Sequence, residues 1–398
     1  MTREFIDFVR THLTEDTSRL LLSAARYPSI DMSAAVQQIE GLRTAREKWP
    51  SLLQHDEFRY PPRLNREQSS SEQTAKYKAS MVRELCHNKR AITIADLTGG
   101  MGIDSLAFAQ EEGIKTKVDY VEHSSELCTL MEQNRQVLGI ENLTVHQADS
   151  LAWLAETNSI FDIIYIDPAR RSSSGRKMTA FEDCEPNILQ QMSLLLSHCR
   201  WLIVKASPMI DLHLAQTQLG SVYQVHIISV KGECKEVLFV CGSNDGETTI
   251  HCTAIQANST NDYTFTQSQE ASSEPVFCSH VKSLLYEPDA ALMKGGPFNL
   301  LCQWTGMEKL ARNTHLYTAD QYPEKFAGRT FRVLKEIKPT RKEIATVLPS
   351  GKAHVVTRNY PVEAAVLQRQ LGLKEGGDMF VIATTVGEHK TAFLCCQP

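Results

Sequence analysis

Ile92-Thr-Ile-Ala-Asp-Leu-Thr-Gly-Gly-Met-Gly-Ile-Asp104 is the stretch whose reading decides the fold. It opens as an apolar run suited to a buried strand, passes through Asp96, and turns on Gly99, Gly100 and Gly102 before a helical pattern begins near Asp104. Glycines suit this turn because the chain reverses sharply and a ligand lies close to the main chain, where a Cβ would intrude. A nucleotide-like cofactor is the natural occupant.

The next three strands repeat the theme. Lys117-Val-Asp-Tyr-Val-Glu122 reads as a second strand ending in an acid, 26 residues after Asp96, the distance at which a βαβ unit sets a carboxylate on ribose hydroxyls. Leu143-Thr-Val-His-Gln-Ala-Asp149 is a third such strand, and Phe161-Asp-Ile-Ile-Tyr-Ile-Asp-Pro-Ala-Arg170 a fourth. Four successive strands thus carry an acid at the carboxyl end, where open parallel sheets bind ligands.

With Asp96 before the glycine loop, Asp149 after the third strand and Asp167-Pro168 closing the fourth, residues of roughly 80 to 245 resemble the class I S-adenosylmethionine-dependent methyltransferases. The resemblance implies a Rossmann-like α/β sheet of seven strands, the last antiparallel. It implies S-adenosyl-L-methionine as cofactor, with Asp96 and the N–H groups of Gly99 to Gly102 on its methionine part, Glu122 on its ribose and Asp149 on its adenine amine. Thr98, His123 and Ser150 flank these positions and are counted with them. On the residues alone, Glu122 and Asp149 also suit turn or helix-cap roles.

Asp167 and Pro168 fall where the acceptor atom is held in relatives that methylate a base nitrogen. Those relatives follow Asp-Pro-Pro with an aromatic residue, whereas Ala169 and Arg170 stand here, so the stacking ring is missing. Arg170 and Arg171 offer guanidinium groups to stack on a base or hold a phosphate. Ser172 to Lys177 reads as a basic substrate loop ending in Lys177, and Lys205 and Glu233 are assigned to the substrate side. Carbon methylation of a pyrimidine requires a cysteine nucleophile, for which Cys184 and Cys234 are the nearest candidates.

The 398-residue chain as a whole bounds the reading. It has 42% hydrophobic and 22% charged residues, ordinary for a globular protein of several domains. No apolar run approaches the roughly 20 residues of a membrane span, and Met1-Thr-Arg-Glu-Phe-Ile-Asp lacks a signal-peptide core, so no membrane partner and a cytoplasmic location are expected. The 11 cysteines show no zinc spacing, and no metal is expected. Net charge is −5, yet Arg329 to Lys374 carries a local balance of +7, leaving about −12 elsewhere. A basic module on an acidic body suits a partner with a phosphate backbone; a solvated charged face is the plainer alternative.

Residues 1–80 are expected to be helical, with a break at Tyr27-Pro28, a cap at Asp31 and a helix from Glu72 to His87. The catalytic domain is placed at 81–267, with a helix over 178–200 broken at Pro186, strands at 222–230 and 236–240 and a hairpin from Thr249 to Thr266. Gln267 to Pro275 reads as a linker and Glu287 to Gly295 as a helix, within a small ferredoxin-like α+β domain at 276–328. Asp167-Pro-Ala-Arg-Arg171, Tyr286-Glu-Pro-Asp-Ala-Ala291 and the tail resemble bacterial methyltransferases with a C-terminal THUMP-like domain, here 329–398. That resemblance implies structured RNA, a tRNA or rRNA base, as substrate. A small-molecule methyltransferase and a non-catalytic cofactor- or RNA-binding protein remain the alternatives.

Overall fold

The computed structural model describes residues 1–170, 181, 184–243, 246–257 and 259–398. The predicted substrate residues Arg171 and Lys177 lie outside them. Contacts divide the chain into two units, Met1–Tyr223 with Val237–Asp245, and Gln224–Glu236 with Gly246–Pro398.

The first unit opens with α1 (Arg3–Thr11), α2 (Thr17–Leu22), α3 (Met32–Lys48), α4 (Arg63–Gln68) and α5 (Glu72–Leu85). Asp31 caps α3, its carboxylate accepting from Ala34 N, as the break at Pro28 predicts. Phe8, Val9, Leu20, Met32, Ala35, Val36 and Ile39 share one buried cluster, the outcome expected of apolar residues at helical spacing.

Strands and helices then alternate: β1 (Ala91–Asp96), α6 (Ile103–Ala109), β2 (Lys115–Glu122), α7 (Ser125–Val137), β3 (Leu143–Gln147), α8 (Ser150–Glu156), β4 (Phe161–Ile166), a two-residue ladder of β5 (Ala169–Arg170) and β6 (Cys184–Glu185), α9 (Ile188–Ser197), β7 (Cys199–Ala206) and α10 (Leu212–Leu219). The last strands of this series are β8 (Val222–Val230) and β9 (Glu233–Cys241). β1, β2, β3, β4 and β7 are parallel, and β9 lies antiparallel on β7. The order is β3-β2-β1-β4-β7-β9. β4 is buried at every position, as a central parallel strand covered on both faces must be.

Three expectations need correction here. The helix expected over 178–200 with a break at Pro186 resumes after that break at Ile188, capped by the Asn187 side chain, and runs to Ser197; ahead of the break Cys184–Glu185 pairs with β5 instead of continuing a helix, and residues 178–180, 182 and 183 lie outside the described ones. The five-residue gap between the last two strands is a two-residue turn, Lys231 and Gly232, with φ of 53° and 81°. Both being positive matches the twist of a tight hairpin. β8, reached through that turn, brings this series to seven strands, with β9, the last, antiparallel on β7 as expected; the sheet itself has nine strands, two more than expected, because β10 (Thr249–Ile255) and β11 (Thr260–Thr266) extend it beyond β8.

In the second unit β10 (Thr249–Ile255) pairs parallel with β8 and antiparallel with β11 (Thr260–Thr266). The expected linker is instead α11 (Gln267–Ser272), held by a capping box in which Thr266 and Gln269 satisfy each other's backbone N–H. The expected helix at Glu287 is the end of β12 (Leu284–Pro288); Asp289 caps the true helix, α12 (Ala290–Gly295).

Then come α13 (Leu300–Thr305), β13 (Glu308–Ala311), β14 (Thr314–Ala319), β15 (Gly328–Ile337), α14 (Arg341–Val347), β16 (His354–Arg358), α15 (Ala364–Leu371), β17 (Met379–Val386) and β18 (His389–Cys396). β12 pairs antiparallel with β15, so both C-terminal modules share one seven-stranded sheet, ordered β13-β14-β12-β15-β18-β17-β16. Val381 and Ala383 on β17 enter one buried cluster and Ile382 another, the two-residue period of a sheet covered on both faces. Among the described residues no helix is long and apolar enough to cross a membrane.

Candidate functional site

The glycine loop between β1 and α6 is built onto the ends of its neighbours. Gly99 N donates to Val121 O at 3.1 Å, Gly100 N to the Glu122 carboxylate at 2.9 Å and Gly102 N to Gly99 O at 2.8 Å. These three amides therefore serve the loop itself, which corrects the expectation that they meet the ligand. The Tyr120 hydroxyl donates to Gly100 O at 2.7 Å from below. A Cβ on Gly99 would stand 2.3 Å from the Tyr120 ring, and one on Gly102, at φ +81°, 1.7 Å from Met131 Cε. Gly100 is different. At φ +54° its missing Cβ faces only Thr98 O at 3.6 Å, so this glycine leaves an open surface.

Three acids stand at the carboxyl ends of neighbouring strands: Asp96 ends β1, Glu122 ends β2 and Asp149 follows β3. Asp96 is buried and accepts from Thr98 N at 3.1 Å and Ser105 Oγ at 2.6 Å. Burial pushes its carboxyl up to about 7, with Asp104 and Asp167 adding to the rise against the two hydrogen bonds. Glu122 accepts from Gly100 N and Ser124 N, both at 2.9 Å, and the exposed His123 ring lies 2.9 Å from it. Asp149 caps α8 through Oδ1, which takes Leu151 N and Ala152 N; Ser150 is the first residue of that helix. The cap reading of Asp149 is thus realised on an exposed side chain, with both cap bonds made to Oδ1.

At the carboxyl ends of β4 and β7 the structure brings together two residues predicted separately. Lys205 Nζ lies 2.5 Å from Asp167 Oδ2. Asp167 N donates to Thr98 Oγ1 at 2.7 Å, so Thr98 ties the glycine loop to the end of β4. Pro168 comes next, half-buried, and the backbone of Arg170 pairs with Cys184. Glu233 belongs to the second unit, where its carboxylate pairs with Lys235 at 2.6 Å. Burial pushes the Cys234 thiol up to about 11, which leaves it protonated and a poor nucleophile.

One group was not assigned a role from sequence. Lys78 on α5 is fully buried, 3.2 Å from Asp104 Oδ1 and 3.1 Å from Ser70 Oγ. Ser70 and the Tyr165 hydroxyl both donate to Asp104 Oδ2 at 2.8 Å. Burial opposes the charge on Asp104, but Lys78, then Lys205 and these hydrogen bonds, hold its carboxyl below the usual carboxylate range. The network fastens the segment before α5 to the first turn of α6. Its signal was in the spacing: Ala75, Lys78, Ala79 and Val82 share one helix face, and a lysine on an apolar face needs a buried partner.

A glycine turn with no close neighbour at Gly100, followed along the same sheet end by the acids Asp96, Glu122 and Asp149, is the arrangement the structure offers a ligand. Among the described residues no group of His, Cys, Asp or Glu is placed to hold a metal ion. A crystal structure from Porphyromonas gingivalis, provisionally assigned as a methyltransferase, is 28% identical and superposes with a TM-score of 0.83, covering 99% of this chain and 97% of that one. Residues 328–398 match the THUMP domain-like family.

The chain has the class I methyltransferase fold with a THUMP-like C-terminal domain. Residues 284–326 of this methyltransferase-fold chain match a ferredoxin-like domain family. Two proteins from strains of Mycobacterium tuberculosis, each named as an uncharacterised S-adenosylmethionine-dependent methyltransferase, are 24% identical over 244 residues. That stretch is 58% of this chain and 64% of theirs, so the methyltransferase-fold chain spans less than two thirds of these relatives.

Proposed function

We propose that the protein is an S-adenosylmethionine-dependent methyltransferase that acts on a base in structured RNA, with the THUMP-like domain holding the RNA. The ordered set of acids at the carboxyl ends of β1, β2 and β3, with the glycine turn at Gly100 and the Asp167–Lys205 pair, carries this reading. Asp96 holds the methionine amine, Glu122 the ribose hydroxyls and Asp149 the adenine amine. When bound, the cofactor supplies an electrophilic methyl group on a sulfonium. Catalysis then rests on positioning and on charges aimed at the acceptor. Thr98 fixes the Asp167 backbone, and Lys205 fixes its carboxylate.

The C-terminal charge supports the RNA part. Glu287 is buried and engages both Arg329, at 2.6 Å from Nε, and Arg358, at 2.5 Å, so these two arginines serve the fold. Lys335 near the end of β15, Lys338 after it, and Arg341 and Lys342 in the first turn of α14 remain exposed, a short basic run suited to a phosphate backbone. Tritiated methyl transfer from S-adenosylmethionine to total bacterial RNA by the full chain tests the proposal. Label in RNA, lost on replacing Asp167, is the expected result; cofactor binding with no label in any RNA contradicts the RNA assignment.

A further inference from the structure

From the Asp167–Lys205 pair we infer that the acceptor is a lactam, a ring N–H beside a carbonyl, as at N1 of guanine or N3 of uracil. The inference rests on reading this crevice as the methyl-transfer site. Lys205 Nζ sits 2.5 Å from Asp167 Oδ2, with the lysine side chain 13% and the aspartate 35% exposed. Among the described residues Asp167 Oδ1 has no hydrogen bond, while the backbone beneath it is pinned by Thr98. The pair therefore presents a cationic donor and an anionic acceptor side by side.

That edge complements a lactam, whose carbonyl accepts from Lys205 while its N–H donates to Asp167. Donor–acceptor matching alone would also admit the amine edge of adenine or cytosine, so charge decides. An exocyclic amine becomes positive as it takes a methyl group, and an ammonium beside it opposes that change. A lactam nitrogen instead gives up its proton and becomes negative across N–C–O, which the same ammonium stabilises.

Atoms and charge balance in this step. The N–H proton passes to the Asp167 carboxylate, and its bonding electrons delocalise over nitrogen and the carbonyl oxygen held by Lys205. The nitrogen lone pair forms the new N–CH3 bond while the S–C bond of the sulfonium donor breaks, its electrons staying on sulfur as a neutral thioether. The positive charge leaves as the proton, from Asp167 to water.

Incubation of the full chain with S-adenosylmethionine and unmodified transcripts of bacterial tRNA and rRNA, followed by digestion and nucleoside mass spectrometry, tests this. Methyl on N1 of guanosine or N3 of uridine is expected, the two nucleosides separating the two sources of the lactam. Methyl on an exocyclic amine, a base carbon or a ribose overturns the lactam inference while leaving RNA methylation standing. No methyl in any transcript, with cofactor binding intact, overturns the RNA reading beneath it.

A readout independent of turnover is calorimetry of GMP, UMP, AMP and CMP on protein saturated with S-adenosylhomocysteine. GMP or UMP is expected to bind about tenfold more tightly than AMP and CMP, the magnitude of one charge-assisted hydrogen bond. Lys205→Met should abolish the preference and Lys205→Arg restore part of it. Equal binding of all four, or an unchanged preference in Lys205→Met, overturns the inference.

Discussion

Lys205 Nζ and Asp167 Oδ2 meet at 2.5 Å although they stand 38 residues apart, one at the end of β4 and the other at the end of the adjacent parallel β7. Their strands pair in register from Phe161 with Cys199 to Ile166 with Val204, which places the next residue of each, Asp167 and Lys205, at the same sheet edge. A carboxylate held this way is oriented before any ligand arrives.

Removing either partner should therefore damage chemistry more than cofactor binding. Asp167→Asn and Lys205→Met are each expected to lower kcat by about 10²- to 10³-fold, the range for loss of one preorganised charge at a reacting centre. Each should cost about 1–3 kcal/mol of stability, as for a charged hydrogen bond left half-made. Single-turnover methyl transfer beside a calorimetric cofactor titration separates the two effects.

The buried acid at the end of β1 gives a pH dependence. The carboxyl of Asp96 titrates near 7 in the fold because burial disfavours its charge, against about 4 for an aspartate in an unfolded chain. Between those values the native state holds the extra proton, so this group's contribution to stability is full at low pH and declines as pH rises to about 7. Cofactor affinity should run the other way, rising up to about tenfold per pH unit below 7 as Asp96 ionises to meet the methionine amine. Asp96→Asn is expected to flatten both trends, measured by urea unfolding and by titration calorimetry at pH 5.5 and 8.

Lys78 should prove structural. Lys78→Met strands the Asp104 carboxylate in the interior and is expected to cost about 3–5 kcal/mol, with the double variant Lys78→Met, Asp104→Asn recovering part of the loss. Denaturant midpoints of the four proteins in this cycle check it; additive losses would show that the two side chains act independently.

The basic run from the end of β15 into the first turn of α14 should contribute a salt-dependent share of RNA affinity. Replacing Lys338, Arg341 and Lys342 with Gln is expected to weaken RNA binding and to flatten the dependence of log K on log salt by about 0.7 for each phosphate no longer neutralised. Filter binding across a salt series measures this, and an unchanged slope would place the RNA elsewhere.

The parallel strands were legible because burial on both faces leaves runs such as Phe161 to Ile166 without polar interruption beyond Asp162. The hairpin of Thr249 to Thr266 was legible from its alternation. Composition misled at Gln267 to Ser272, whose Ser, Glu and Gln residues suggest a linker although Thr266 and Gln269 supply a capping box. Pro288 misled too, since a proline opens helices but also ends a strand where its missing N–H is not needed. Within the site, the acids could be found because each falls at a strand end. Tyr120 beneath Gly99 and the Lys78–Asp104 pair could not be placed, since each joins separate elements and only tertiary packing decides the partner.

The most direct measurement is a calorimetric titration of S-adenosylmethionine into the full chain and into Gly100→Trp, with thermal melts confirming that both are folded. Saturable one-site binding to the natural chain, abolished by a side chain built onto the open face of Gly100, is the expected result. No binding by the natural chain, or equal binding by a folded Gly100→Trp variant, would contradict placement of the cofactor over this loop.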